Sequence, residues 1–135
     1  MELKDGTILQ NMRNGKTRAV ARSKDGGVTL DGTRHDPALI DPSCNAGITR
    51  YTRDGKDIII FTNAASSSRR ENLTVKLSYD DGRTWPAART IQAGPAAYST
   101  VISLRDGNIG VLYERGEKDA AERITFARFN LEWVR

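Results

Sequence analysis

Seven Asp-Gly or Asn-Gly steps punctuate this chain, at Asp5-Gly6, Asn14-Gly15, Asp25-Gly26, Asp31-Gly32, Asp54-Gly55, Asp81-Gly82 and Asp106-Gly107. These pairs tolerate the positive φ that tight hairpins need, so a chain carrying them between short apolar stretches is committed to antiparallel β-structure. The stretches between them predict strands at Thr7–Met12, Thr17–Ser23, Ala46–Tyr51, Ile58–Phe61, Leu73–Ser78, Ser99–Leu104, Ile109–Tyr113 and Ile124–Phe129. No segment carries a sustained helical stripe. Many short strands joined by tight turns admit a sandwich, a barrel or a propeller.

Internal repetition chooses among the three. Ser23-Lys24-Asp25-Gly26-Gly27-Val28-Thr29-Leu30 and Ser78-Tyr79-Asp80-Asp81-Gly82-Arg83-Thr84-Trp85 share Ser-x-Asp-x-Gly-x-Thr, and their serines are 55 residues apart. A four-stranded blade fits that period, and each copy follows a strand. The second copy is a full Asp-box, a motif found in the blades of sialidases and several other propellers. Its work is structural: the Ser and Asp side chains satisfy backbone donors, the glycine takes a strained conformation and the tryptophan packs beneath the hairpin. The first copy has Leu30 in place of Trp, which predicts a less well anchored hairpin. At this period the chain supplies about two and a half blades. The expected fold is all-β, a partial six-bladed β-propeller with Asp-box hairpins; a free part-ring exposes strand edges, which suggests a truncated chain lacking N-terminal blades.

Composition narrows the function. The net charge of +4 comes from 21 basic and 17 acidic residues that are scattered along the chain. A nucleic-acid surface needs a denser patch, whereas a modest positive field favours small anions. The longest strongly apolar run, Ile58 to Phe61, draws no membrane-spanning helix. The start has no signal-peptide pattern, which leaves the compartment open. The single cysteine, Cys44, excludes an internal disulfide and reads as a small buried hydrophobe; the single histidine, His35, reads as a surface or turn residue without metal-ligand neighbours. No metal or cofactor is expected.

Beyond the Asp-box the sequence GPAAYSTVISLRDGNIGVLYERGE resembles the closing portion of bacterial exo-α-sialidases. The matching positions are Tyr98, Ser99, Asp106, Gly107, Leu112, Tyr113 and Glu114. ITFARFNLEWV, from Ile124 to Val134, is similar to that family's final strand. Arg70-Glu71-Asn72-Leu73-Thr74-Val75 is similar to the segment carrying the family's third carboxylate-binding arginine, and Glu2 to Thr7 with Asn11-Met12-Arg13 to the hairpin carrying the second. The resemblance spans residues 1 to 135 and implies the C-terminal portion of the catalytic propeller.

The implied chemistry is release of terminal α-linked sialic acid from glycans, with retention through a sialyl-tyrosine. A carboxylate nucleophile would be repelled by the carboxylate on the sugar's anomeric carbon, whereas a phenol avoids that penalty. By the resemblance Tyr98 is the nucleophile, Arg13 and Arg70 bind the substrate carboxylate through forked donors, and Glu114 supports an arginine from another blade. Asn11 shares a face with Arg13 and could line the pocket; Arg69 points the other way on extended backbone. No residue matches the family's first arginine, its acid/base aspartate or the glutamate that activates the tyrosine. The isolated chain is therefore expected to be inactive, because a phenol without an adjacent base is a poor nucleophile at neutral pH. Expected partners are sialic acid-containing glycans and the missing N-terminal half of the propeller. The family suggests a secreted or cell-surface location. The alternative is a noncatalytic Asp-box segment that binds a glycan or a protein.

Overall fold

A computed structural model describes all 135 residues. Nine strands and one short helix follow in order: β1 (Ile8–Asn14), β2 (Thr17–Ser23), β3 (Arg34–Ile40), β4 (Gly47–Arg53), β5 (Lys56–Ala64), β6 (Glu71–Ser78), β7 (Ala87–Ser103), β8 (Ile109–Arg115), β9 (Arg123–Phe129) and α1 (Leu131–Val134). The first three form one antiparallel sheet and the remaining six form a second, in sequential order. The second sheet is curled and unclosed. It divides within the 17-residue strand β7, whose first half pairs with β6 and whose second half pairs with β8. The result is part of a propeller: blade A is β1–β3, blade B is β4–β6 with the first half of β7, and blade C is the second half of β7 with β8 and β9.

Blade B is buried on both sides, which explains the unbroken apolar run of β5. Ile58 and Ile60 join Tyr51, Leu73, Val75 and Leu77 in the main core against Val101, Ile109, Val111 and Tyr113 of blade C. On the opposite side Ile59 packs with Leu3, Leu9 and Val20 of blade A. Gly47 lets β4 pass close to β7, since a Cβ there would sit 2.9 Å from the Val101 amide nitrogen and 3.0 Å from the Thr100 Cα.

The repeated turns are built alike. The Ser23 hydroxyl donates to Asp25 at 2.7 Å and accepts from the Gly27 amide at 2.8 Å, while the Thr29 amide donates to Asp25 at 2.9 Å. At the second copy the corresponding distances are all 2.8 Å, between Ser78 and Asp80, Gly82 and Ser78, and Thr84 and Asp80. The copies differ beneath the turn: Trp85 packs 5.6 Å from the Phe61 ring, whereas Leu30 is exposed. A second repeat lies in the hairpins entering β1 and β8. Gly6 and Gly107 donate to the carbonyls of Leu3 and Leu104 at 3.1 and 3.0 Å. Thr7 and Asn108 each donate to the aspartate two residues earlier at 3.0 Å.

Three elements differ from the sequence reading. Strand β3 was not expected, because it is an edge strand with Pro37 inside it and only Leu39 buried, so it shows little apolar alternation. His35 lies in this strand, hydrogen-bonded to Thr17 at 2.9 Å. The first half of β7 is an outer strand of small and polar residues, again without alternation. The strand expected at Ile124–Phe129 is β9, but beyond it stands a short helix that the sequence reading did not foresee: Asn130 accepts from the Trp133 amide at 2.9 Å and caps α1.

Candidate functional site

Tyr98 lies just past the midpoint of β7, where the pairing with β8 shifts register between Ala96 and Ser99. Its backbone is fixed from three directions. The Tyr98 amide donates to the Glu114 carboxylate at 3.1 Å. The neighbouring Ser99 hydroxyl, buried, lies 3.0 Å from that of Thr62 and donates to the Thr62 carbonyl at 3.1 Å. Two residues earlier the Ala96 amide donates to the Arg70 carbonyl at 3.0 Å.

That last bond brings Arg70 to the tyrosine. Asn72, at φ 60°, interrupts the pairing of β6 with β7 between Glu71 and Leu73, and its side chain accepts from the Gly94 amide at 3.2 Å. Arg70 then places its guanidinium carbon 5.2 Å from the Tyr98 ring centroid, in cation–π range. Arg69 turns to Glu71 at 3.8 Å and is largely exposed.

Tyr98 is 40% exposed and lines a cleft of about 240 Å³ with Asn45, Thr100, Leu112, Glu114 and Ile124. A second cleft, of about 320 Å³, runs past Arg69, Arg70, Ala97 and Lys118. The half-buried Glu114 therefore holds the Tyr98 amide while the exposed Arg70 guanidinium lies over its ring.

Arg13 and Asn11 lie on β1, in blade A. Arg13 is exposed and lies opposite Arg18 in the β1–β2 ladder, and makes no side-chain hydrogen bond to Tyr98, Arg70 or Glu114. Asn11 accepts from the Arg18 Nε at 2.7 Å, which turns its side chain to the buried arginine. From there Arg18 donates to the Cys44 carbonyl at 2.7 Å and pairs with the fully buried Asp41 at 3.3 Å. Asp41 also accepts from the Cys44 amide at 3.2 Å and from Asn63 at 3.3 Å. Asn45, the next residue along, lines the Tyr98 cleft, so a polar chain connects blade A to it. Burial lowers the Arg18 pKa, opposed by Asp41. Burial likewise pushes the Cys44 thiol up, with Arg70 opposing.

The arrangement can grip an anion with Arg70 beside the accessible ring of Tyr98, whose backbone is held by Glu114. The sequence reading missed Asn45, Arg18 and Asp41. Arg18 left a signal: it shares strand parity with Val20, while Ala19 and Ala21 make the other face apolar too, so a charge there needed a buried partner.

Comparison with known proteins supports a relationship to sialidases. The model of the BNR repeat-like domain family matches residues 1–111. The chain is 39% identical to a sialidase of Micromonospora viridifaciens over 143 aligned positions, covering 99% of this chain and 21% of that protein. It is 32% identical to an exo-alpha-sialidase of Arthroderma benhamiae, covering 96% of this chain and 35% of that protein. Among solved structures, the Hadza microbial sialidase Hz136 superposes with a TM-score of 0.82 at 31% identity, over 96% of this chain and 26% of its own. The chain thus spans about a fifth to a third of the curated relatives it matches.

Proposed function

The chain belongs to the BNR repeat-like domain family, and on that premise we propose that it carries the tyrosine side of a sialidase active site within a six-bladed propeller. The observation that carries the reading is the placement of Arg70 over the Tyr98 ring, 5.2 Å from its centroid, with Glu114 hydrogen-bonded to the tyrosine's own backbone. Arg70 and Arg13 hold the carboxylate of a terminal sialic acid, and the Tyr98 oxygen attacks the anomeric carbon. The C–O bond to the leaving sugar breaks, the phenol proton goes to a base and the departing oxygen takes a proton from an acid; water then releases the sugar by a second displacement, giving retention. Neither that base nor that acid matches a residue of this chain. Glu114 supports a further arginine from a neighbouring blade.

The division of labour gives a two-part test on the 135-residue chain. An unsaturated, planar sialic acid analogue binds in a titration followed by NMR, and Arg70→Ala weakens it by about 10- to 150-fold, the value of a charge-assisted bond of about 1.5–3 kcal/mol. A fluorogenic sialoside is not turned over. Binding untouched by Arg70→Ala would overturn the site, and turnover abolished by Tyr98→Phe would overturn the proposed need for groups from other blades.

A further inference from the structure

The pairing of β2 with β3 is regular only as far as Val20 opposite Arg34. Beyond it Asp31 ties the two segments together differently: its carboxylate accepts from the Arg22 amide at 2.6 Å, and its own amide donates to the Arg22 carbonyl at 2.7 Å. Between that tie and the last ladder pair lies open space, since a Cβ added at Gly32 would meet nothing within 4 Å. The gap borders a cleft of about 450 Å³ that is closed from the other side by Arg83, in the Asp-box turn of blade B. Every lining residue comes from blades A and B, so the cleft belongs to the seam that these two blades share.

Its charge is one-sided. Arg22, Arg34 and Arg83 line it against a single acid, Asp31. None of the three arginines is ion-paired. Two of them are held by one turn: Arg22 donates from Nη2 to the Asp81 carbonyl at 2.7 Å, and Arg83 from Nη1 to the Asp80 carbonyl at 3.3 Å. A guanidinium carries five N–H donors, so each keeps most of its fork free. Like charges gathered without a counter-charge repel one another, and a bound anion removes that cost. An adjoining cleft of about 270 Å³ shares Arg34 and Arg83 and runs on past Trp85. There the half-buried indole is fixed by its contact with Phe61 and by its bond to Asp36 at 3.2 Å, a rigid aromatic surface beside the arginines.

We propose that the cleft at the A–B seam is a second anion site, which takes a phosphate dianion, either as inorganic phosphate or as a monoester. Three guanidinium forks offer donors to more oxygens than a carboxylate has. Three cations beside one aspartate leave two positive charges, which a dianion balances. This goes beyond the sialidase reading and does not rest on it. Arg70 stands just before β6 and the Asp80–Arg83 turn just after it, so the eight residues of that strand, roughly 25 Å, separate the two sites.

An NMR titration of the 135-residue chain at constant ionic strength and about pH 8, where phosphate monoesters are dianions, tests this. The probes are sodium phosphate and glucose 6-phosphate, with methyl sulfate as the tetrahedral monoanion and acetate as the carboxylate control. Saturable shifts of the Arg22, Gly32, Arg34 and Arg83 amides are expected with phosphate or its ester, at least about tenfold tighter than with either control. Arg34→Ala and Arg83→Ala should each weaken that binding by about tenfold or more. Arg34 is exposed and bridges nothing, so its removal should leave the melting temperature unchanged. The two phosphate probes separate the sources. An ester that binds more tightly than the free ion and also shifts the Trp85 indole N–H identifies a sugar-borne group, whereas equal affinities identify inorganic phosphate. Shifts that acetate or methyl sulfate reproduces at equal concentration, no saturation through the millimolar range, or affinities indifferent to both arginine variants would overturn the proposal. The sialic acid analogue should bind Arg34→Ala as it binds the wild type, so failure at one site is distinguishable from failure at the other.

Discussion

Arg18 and Asp41 show how a single buried pair can hold two blades together. Arg18 is 5% exposed and Asp41 is fully buried. The aspartate, at the end of blade A, also takes a hydrogen bond from Asn63 of blade B. Truncating one partner of a buried ion pair leaves the other charge uncompensated, which costs about 3–5 kcal/mol. Asp41→Ala is therefore expected to lower the urea midpoint severely. Arg18→Met combined with Asp41→Leu removes both charges and should recover much of that loss. Equal destabilisation by the single and double variants would show that packing, not the stranded guanidinium, sets the cost. The pair escaped sequence reading because its members lie 23 residues apart and a charge in a strand is ordinarily a solvated one. Tyr98 and Arg70 could be singled out in advance because a motif resemblance marked them. Their proximity was implied by that resemblance alone, since the Asn72 irregularity and the Ala96–Arg70 bond that set it leave no pattern in the sequence.

Among the elements, the two Ser-x-Asp-x-Gly-x-Thr turns were legible in detail because their bonds are local in sequence. Strand β3 and the first half of β7 were not, because outer strands are held by backbone pairing and carry no side-chain pattern. The turns also make a pH prediction. At the first turn the Thr29 hydroxyl and amide, with Ser23, bring the Asp25 carboxyl down to about 2. Asp80 also falls to about 2: its partial burial acts to raise it, but the bonds from Thr84, Ser78 and Arg83 prevail. An unfolded aspartate titrates near ~3.9. A depressed folded value gives stability that is present above about 4 and lost as pH falls from there toward about 2. The melting temperature should accordingly drop across that window. Asp80→Asn should lower the neutral-pH value and flatten the acid slope, because the neutral amide no longer carries the titrating charge. An acid slope unchanged in Asp80→Asn and in Asp25→Asn would mean that the turns do not govern the acid limit.

For the molecule as a whole, the decisive feature is that three blades are joined by two unlike seams. The seam between B and C is mainly apolar, built from Ile60, Val75, Val111 and their neighbours with Ser99 bonded to Thr62 and Tyr51 donating to the Gly107 carbonyl at 3.3 Å, and it is narrowed at Gly47. Between A and B a smaller apolar cluster is reinforced by polar bridges: Arg22 to the Asp81 carbonyl at 2.7 Å, Trp85 to Asp36 at 3.2 Å, and Arg50 to the Glu2 carbonyl at 3.3 Å. An apolar seam fails through its close approaches. A methyl at Gly47 would meet the Thr62 hydroxyl at 2.8 Å as well as the backbone of β7, and backbone cannot swing aside as a flexible side chain can. Gly47→Ala should therefore force β4 away from β7 and cost about 1–3 kcal/mol, the usual range for overpacking. It should also loosen Ser99 from Thr62, because the added methyl falls on that hydroxyl pair. Hydrogen exchange distinguishes this from a general loss of stability. Faster exchange confined to β4 and the second half of β7, with β1 and β2 unchanged, is the expected pattern. A uniform rise over all three blades would mean that the two seams break together and that the ring segment unfolds as one cooperative unit.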